Sequence, residues 1–358
     1  MNHRYAALID NMAVAASGVV IYNLKGMDPI SELAIQFRGA NNAAIPLDHP
    51  AGLITRIQVV DGSEVIVDIT GKQAVALGYY HYKIMPVSLN VYVNTLWCGQ
   101  AFRIPFGRWQ FDPLYALDPA RFKNLQVIIT VNLAGGGNGM AAGTLELMAC
   151  MFDQKKIAPA GYLRVREHFR YGPVALQNQL VDLPVDKVIK MMLFQGDAFL
   201  IPLLQQINRI RISEDNDKRV PLDNNVSDLI VNMAADLSSI NEQIYAAGVI
   251  GNLTTFCAPV FEPYGALSGT DAVNNWGQVV DLGGGNIRLT CAAVGNVKAT
   301  IHGLAPFATV ALECGDPWDP DDWYNPSGTK QLTARLTAGT PVGVASVNKV
   351  VLQQLSIY

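Results

Sequence analysis

Charge is scarce in this chain. Only 16% of its 358 residues are charged, against 50% hydrophobic, and the formal net charge is -4. So little charge poorly covers a freely dispersed surface, which points to burial of surface against other subunits. The slightly acidic balance carries no polyanion-binding signature and argues against a dedicated, sequence-specific nucleic-acid binder. Cysteine is scarce too. Cys98, Cys150, Cys257, Cys291 and Cys314 are odd in number and far apart, with no CxxC pair. That pattern disfavours a zinc ribbon and a thioredoxin-type site and reads as buried free thiols in a reducing compartment. No apolar run reaches the roughly 20 residues that span a bilayer. Met12–Tyr22 is apolar but short, Arg4 is a weak positive start, and no small-residue cleavage site follows. Residues 1–27 therefore read as an N-terminal arm or first element packed on the body.

Chemistry-bearing motifs are equally thin. His3, His49, His81, His168 and His302 share no metal-ligand spacing, and no GxSxG elbow occurs. The glycine-rich stretches Ala134–Gly143 and Leu282–Asn286 lack the lysine–hydroxyl pair of a P-loop, so they read as turns between strands. Asp316, Asp319, Asp321 and Asp322 crowd into one stretch without EF-hand spacing, which suggests a capped, solvated turn rather than a calcium site. No catalytic, metal or cofactor residues are assigned, and no cofactor is expected.

What the chain does have is an internal echo. The segment from Asp112, DPLYALDPARFKNLQVIITV, returns 207 positions later from Asp319 as DPDDWYNPSGTKQLTARLTA. Asp112, Pro113, Pro119, Lys123, Leu125 and Thr130 match Asp319, Pro320, Pro326, Lys330, Leu332 and Thr337. A proline turn leading into an apolar strand, once per half, suggests two related domains in tandem. The length fits two domains of ordinary size.

Strand patterning dominates. Ser31–Phe37, Leu53–Val59, Glu64–Ile69, Val87–Val93, Gln100–Phe106, Leu125–Leu133 and Thr144–Met151 alternate or run apolar, with the hairpin signal Asp61–Gly62 between two of them. A second series begins at Gly161 and ends with Val344–Leu355. The reading is all-β: an arm at 1–27, a first domain at 28–153, a join at 154–160 and a second domain at 161–358. Two helices interrupt it. One spans Gly71–Met85 with Thr70 as cap. The other spans Ser227–Ala247, with Leu229, Met233, Leu237, Ile240 and Ile244 on one apolar face. Ser213–Asn225 reads as an exposed, charged loop. In Tyr162–Tyr171, alternation places Arg164, Arg166, His168 and Arg170 on one strand face. That is a solvated outer face, or a contact with a neighbouring subunit or lipid phosphates.

With these residues assembled, the chain resembles the double jelly-roll major capsid proteins of icosahedral tailless viruses, including bacteriophages with an internal membrane. The resemblance is carried by LITRIQVVDGSEVIVDITGKQAV, by the repeated proline turn, and by the end of the chain, from HGLAPFATVALECGD through TKQLTARLTAGT to SVNKVVLQQLSIY. It implies two tandem eight-stranded jelly rolls with a few inserted helices. It also implies a structural, non-enzymatic role: a homotrimer forming a pseudo-hexagonal capsomer that tiles an icosahedral virion shell. Implied partners are further copies of the chain, minor capsid or vertex proteins, and an internal lipid membrane, with assembly in the host cytoplasm. Two other classes compete. One is a carbohydrate-binding adhesive β-sandwich of spike or lectin type, with Trp97, Trp109, Trp276, Trp318 or Trp323 stacking on sugars. The other is a bicupin-like enzyme.

Overall fold

A computed structural model describes residues 2–14, 17–41, 48–136, 140–154, 156–248, 251–269, 277–291, 295–340 and 347–358. Its first half contains β1 (His3–Val14), β2 (Ser17–Asn23), β3 (Ile30–Asn41), β4 (Ile54–Asp61) and β5 (Glu64–Ile69). Helix α1 (Gly71–Tyr82) follows, then β6 (Ser88–Tyr92), β7 (Trp97–Pro105), β8 (Leu125–Asn132) and β9 (Met140–Phe152). The Asp61–Gly62 turn closes the β4–β5 hairpin, with Gly62 at φ 60°, a conformation glycine adopts without Cβ strain.

The second half opens with β10 (Gly161–Tyr171), β11 (Asn178–Leu183) and β12 (Ile189–Gly196). Then come α2 (Leu203–Gln206), β13 (Arg209–Glu214), β14 (Arg219–Asn225) and α3 (Val226–Met233). An insertion supplies β15 (Ile240–Gly248), β16 (Gly251–Phe256), β17 (Pro259–Gly269), β18 (Gly277–Gly283), β19 (Asn286–Cys291) and β20 (Gly295–Pro306). The chain ends with β21 (Thr309–Glu313), β22 (Leu332–Thr337) and β23 (Asn348–Ile357).

Strand order repeats between the halves. The first half orders β1-β9-β3-β7 in one sheet and β2-β8-β4-β5 in another; the second orders β10-β23-β12-β21 and β11-β22-β13-β14. Each half is thus an eight-stranded jelly roll, a sandwich of two four-stranded sheets. In the first, Leu33, Ile35, Leu145 and Leu147 meet Ile57, Val59, Val127 and Ile129. In the second, Met192, Phe194, Val350 and Leu352 meet Ile210, Ile212, Leu332 and Leu336. Strands β1 and β2 supply the first strand of each sheet, so the first roll starts ahead of residue 28.

The segments matched in sequence occupy equivalent positions. β8 lies between β2 and β4, and β22 lies between β11 and β13. Their approaches repeat bond for bond. Asp112 Oδ1 accepts from Leu114 N at 3.0 Å, and Asp319 Oδ1 from Asp321 N at 3.1 Å. Asp118 Oδ1 accepts from Ala120 N, and Asn325 Oδ1 from Ser327 N, both at 3.1 Å. Leu117 bridges Ile30 at the start of β3, and Tyr324 bridges Ile189 at the start of β12. Lys123 N and Asn124 N donate to Asp61, as Lys330 N and Gln331 N donate to Asp215. In each half one carboxylate therefore ties the β4–β5 or β13–β14 turn to the entry of β8 or β22.

The expected helix at Ser227–Ala247 is corrected. Helix α3 stops at Met233, and Ile240 and Ile244 lie on β15, where residues 240, 242, 244 and 246 are buried in alternation. A four-residue spacing keeps two side chains on one face of a strand as well as of a helix, so the apolar pattern fitted both periods. The charged loop expected at Ser213–Asn225 contains a turn followed by β14, an exposed edge strand.

Candidate functional site

In a protein whose chemistry is sparse, the junction of the two rolls is the place to look. Two parallel pairings fuse them. Val67 and Asp68 of β5 pair with Val165 and Arg166 of β10. Asn90, Val91 and Tyr92 of β6 pair with Ile244, Tyr245 and Ala246 of β15. The β10-β23-β12-β21 sheet is consequently covered on both faces, and all eight residues of β12 are buried.

Helix α1 covers the face turned toward the first roll. Thr70 and Gln73 close a capping box, which fixes where the helix begins. Gln73 Nε2 then donates to Glu167 and to Gln195 Oε1, each at 3.1 Å. Tyr80 hydroxyl donates to Thr309 O at 2.7 Å, and Tyr79 hydroxyl to Ser238 O at 2.6 Å. His81 Nδ1 lies 2.9 Å from Lys190 Nζ, both side chains buried. Burial, aided by the nearby Lys83 and Arg108 charges and opposed by Glu313, brings Lys190 down to about 7. Burial and then the Lys190 charge hold His81 well below its ordinary value, so the imidazole is neutral.

A second buried cluster ties the insertion to the first roll. Glu242 on β15 takes His49 Nε2 at 2.9 Å, Asn90 Nδ2, and Ala258 N at 2.6 Å. His49 Nδ1 accepts from Ala51 N, which leaves the ring proton on Nε2 for Glu242. Beside it lies a cavity of about 210 Å³, flanked by the pairs Lys72–Asp48 at 2.9 Å and Lys349–Asp197 at 2.6 Å. Glu242, His49, Lys72, Asp48, Lys349 and Asp197 are all paired, while Asn90 Oδ1 and His81 Nε2 are buried without a hydrogen-bond partner among the described residues; the paired groups lock the rolls together.

The three arginines expected on one face do not form a set. A one-residue bulge at His168 interrupts the pairing of β10 with β23, Glu167 facing Val351 and Phe169 facing Val350. Beyond it the faces exchange. Arg164 and Arg166 share a side with Phe169 and Tyr171, while Arg170 joins Glu167, to which it bonds at 2.8 Å. Arg164 is 8% exposed and donates to Val65 O across the seam at 3.3 Å, its value lowered chiefly by burial. Arg166 lies half-buried beside Asp68 and Gln354. β10 is an interior strand, not the outer, charge-bearing strand of the solvated reading.

The remaining sequence expectations divide. Gly283, Gly284 and Gly285 turn with positive φ between β18 and β19. Residues 137–139 of the other glycine-rich stretch lie outside the described residues. The aspartates of the 316–322 turn accept backbone N–H groups, Asp316 from Trp318 N and Asp322 from Asp316 N. Trp323 is buried with its indole N–H on Asp316 O. Trp97, Trp109 and Trp318 are partly exposed, and Trp276 lies outside the described residues. Trp109 is occupied by the Arg108 guanidinium over its ring and by Trp318 at 6.0 Å.

Sequence reasoning missed one repeated ion pair. Arg56 of β4 bonds Asp68 of β5 at 2.7 Å, and Arg209 of β13 bonds Asp223 of β14 at 2.7 Å. The signal was present as an Arg-Ile step before each turn and an aspartate after it, but unequal turn lengths hid the alignment.

No family model and no curated protein matches the chain in sequence. Solved structures match nearly end to end. The major capsid protein of Sulfolobus turreted icosahedral virus aligns with a TM-score of 0.64 at 8% identity, over 99% of this chain and 97% of that one. The major capsid protein of bacteriophage PM2 aligns at 0.56 and 9% identity, over 99% and 98%. The VP54 capsid structure of the virus PBCV-1 aligns at 0.56 and 10% identity, over 99% and 94%. This chain has the double jelly-roll fold of those proteins.

Proposed function

We propose that this chain is a structural major capsid protein, which trimerises into pseudo-hexagonal capsomers that build an icosahedral virion shell. One observation carries the reading: near-complete alignment with viral capsid proteins extends over both jelly rolls, which β5 and β10 join. Two similar rolls give each copy two similar feet, and three copies give six, a tile suited to a quasi-flat facet. The role is assembly by burial of surface, with no reaction performed. The low charge content supports it, since surface covered by neighbours needs little. Assembly in the host cytoplasm, contacts with minor or vertex proteins and an underlying lipid membrane belong to the same proposal. Of the three arginines, Arg166 and Arg170 are the ones left to meet a neighbour or lipid phosphates, from opposite faces of β10.

The test is sedimentation of the purified chain under reducing conditions, with electron microscopy of the same sample. Trimers or larger assemblies are expected. A monomer that persists at micromolar concentration and forms no particles would overturn the proposal.

A further inference from the structure

We propose that the free edge of β14 pairs with the free edge of β1 on a second copy of the chain. This repeats between chains the seam that joins β5 to β10 within one. The inference rests on the assembly reading only in requiring that copies associate.

The chain supplies its own template. β14 is the counterpart of β5: each follows a hairpin turn, carries an aspartate bridged by an arginine of the preceding strand, and runs into a helix cap, Thr70 or Asn225. β1 is the counterpart of β10: each opens its roll and pairs with the roll's last strand, β9 or β23. Both carry an extra residue in that pairing, Leu8 in β1 and His168 in β10, and β1 has a second irregularity between Ile9 and Met12. Yet β5 and β10 are joined, whereas β14 and β1 each end a sheet with no strand beyond among the described residues. Of the other strands that end a sheet among the described residues, β2 and β11 are counterparts and are unjoined in both halves, β16, β17 and β18 belong to the insertion, and β21 corresponds to β7, whose outer edge is joined only to β6, a strand outside the two rolls.

Superposing the counterparts fixes the register. Matching the bulges places Tyr5 and Ala6 where Val165 and Arg166 stand. Matching the Arg–Asp pairs and caps places Leu222 and Asp223 where Val67 and Asp68 stand. The intrachain seam pairs Val67 with Val165 and Asp68 with Arg166. Between chains, Leu222 should therefore face Tyr5, and Asp223 should face Ala6, in parallel. Tyr5 is 61% exposed in the single chain, as a residue awaiting a neighbour would be. Pro221 has no N–H to give, but the intrachain seam needs only two residues, and Leu222 and Asp223 keep theirs. Two different edges make a heterologous contact, which closes into a ring when the rotation allows.

The test is the double variant Tyr5→Cys with Leu222→Cys, made in a Cys150→Ser background because the free Cys150 stands opposite position 5, oxidised mildly and run on non-reducing gels beside the Cys150→Ser chain and each single variant in that background. Covalent dimers and trimers from the double variant alone are expected. Cross-linking in a single variant would mean that like edges meet, and would overturn the seam. Oligomers in sedimentation without cross-links would overturn the seam while leaving the assembly reading intact; a persistent monomer would sink both. Hydrogen exchange on the unmodified chain keeps the test independent of how the variants fold. Amides of residues 3–8 and 220–225 should slow on association, and slowing confined to other segments would overturn the proposal.

Discussion

Lys190 shows how a single buried cation sets a pH dependence. It is brought down to about 7, so between about 7 and its ordinary value near 10.5 the folded chain holds fewer protons than the unfolded one. Stability therefore rises with pH through that window, and below it the deficit is constant. Lys190→Met together with His81→Leu, which removes both members of the buried pair, should stabilise the chain by about 1–4 kcal/mol near neutrality, as apolar replacement of a buried charged pair often does. The gain should fade as pH approaches about 10. Thermal melts at both ends of the window check this, and a difference independent of pH would mean that the ammonium stays charged. The arginines of β10 separate on the same scale. Arg164→Gln removes the bond to Val65 O and should cost about 1–2 kcal/mol. Arg170→Gln breaks an exposed pair and should change stability by less than ~0.5 kcal/mol. Urea midpoints distinguish them, and equal effects would contradict the burial seen here. The sequence told that these arginines alternate. It could not tell that His168 is extruded, because a bulge is fixed by the partner strand.

At the scale of elements, the sequence was most legible where local rules and tertiary contacts agree. Thr70 and Gln73 sit at capping-box spacing, and α1 begins there. The Asp61–Gly62 turn and the repeated proline turn were readable because their hydrogen bonds close within a few residues. What failed was pattern shared by two geometries or made by a distant partner. Ile240 and Ile244 suited either period, and nothing local marks Glu242 between them as the group to which His49, Asn90 and Ala258 N are brought. β14 is polar because it is an edge, so its residues resemble a loop. Helix α1 gives a test of the junction. Thr70→Ala should cost ~1 kcal/mol as a lost cap. Gln73→Ala should cost more, because the same amide caps the helix and reaches Glu167 and Gln195. Denaturant unfolding of the two variants decides the order, and a smaller loss for Gln73→Ala would mean that those bonds across the junction contribute nothing.

For the whole molecule, duplication and fusion have opposite consequences. Two rolls with separate sandwich cores would ordinarily unfold as two domains. Here β5 pairs with β10, β6 pairs with β15, and one apolar core takes in Ile57 and Leu77 of the first half with Val165, Leu193 and Val351 of the second. Separating the rolls would expose Tyr79 and Tyr80 and strip partners from Glu242, His49 and Lys190. Exposed aromatic surface and unpaired buried groups cost more than a marginally stable domain can lose. The single chain should therefore unfold in one calorimetric transition whose measured and van't Hoff enthalpies agree. It should do so at concentrations low enough that association makes no contribution, since oligomers melt in a concentration-dependent way. Two resolved transitions would mean that the rolls are independent and merely adjacent. A chain with two independent rolls would also be a poor template for a seam between copies, because the seam inside it would then contribute little.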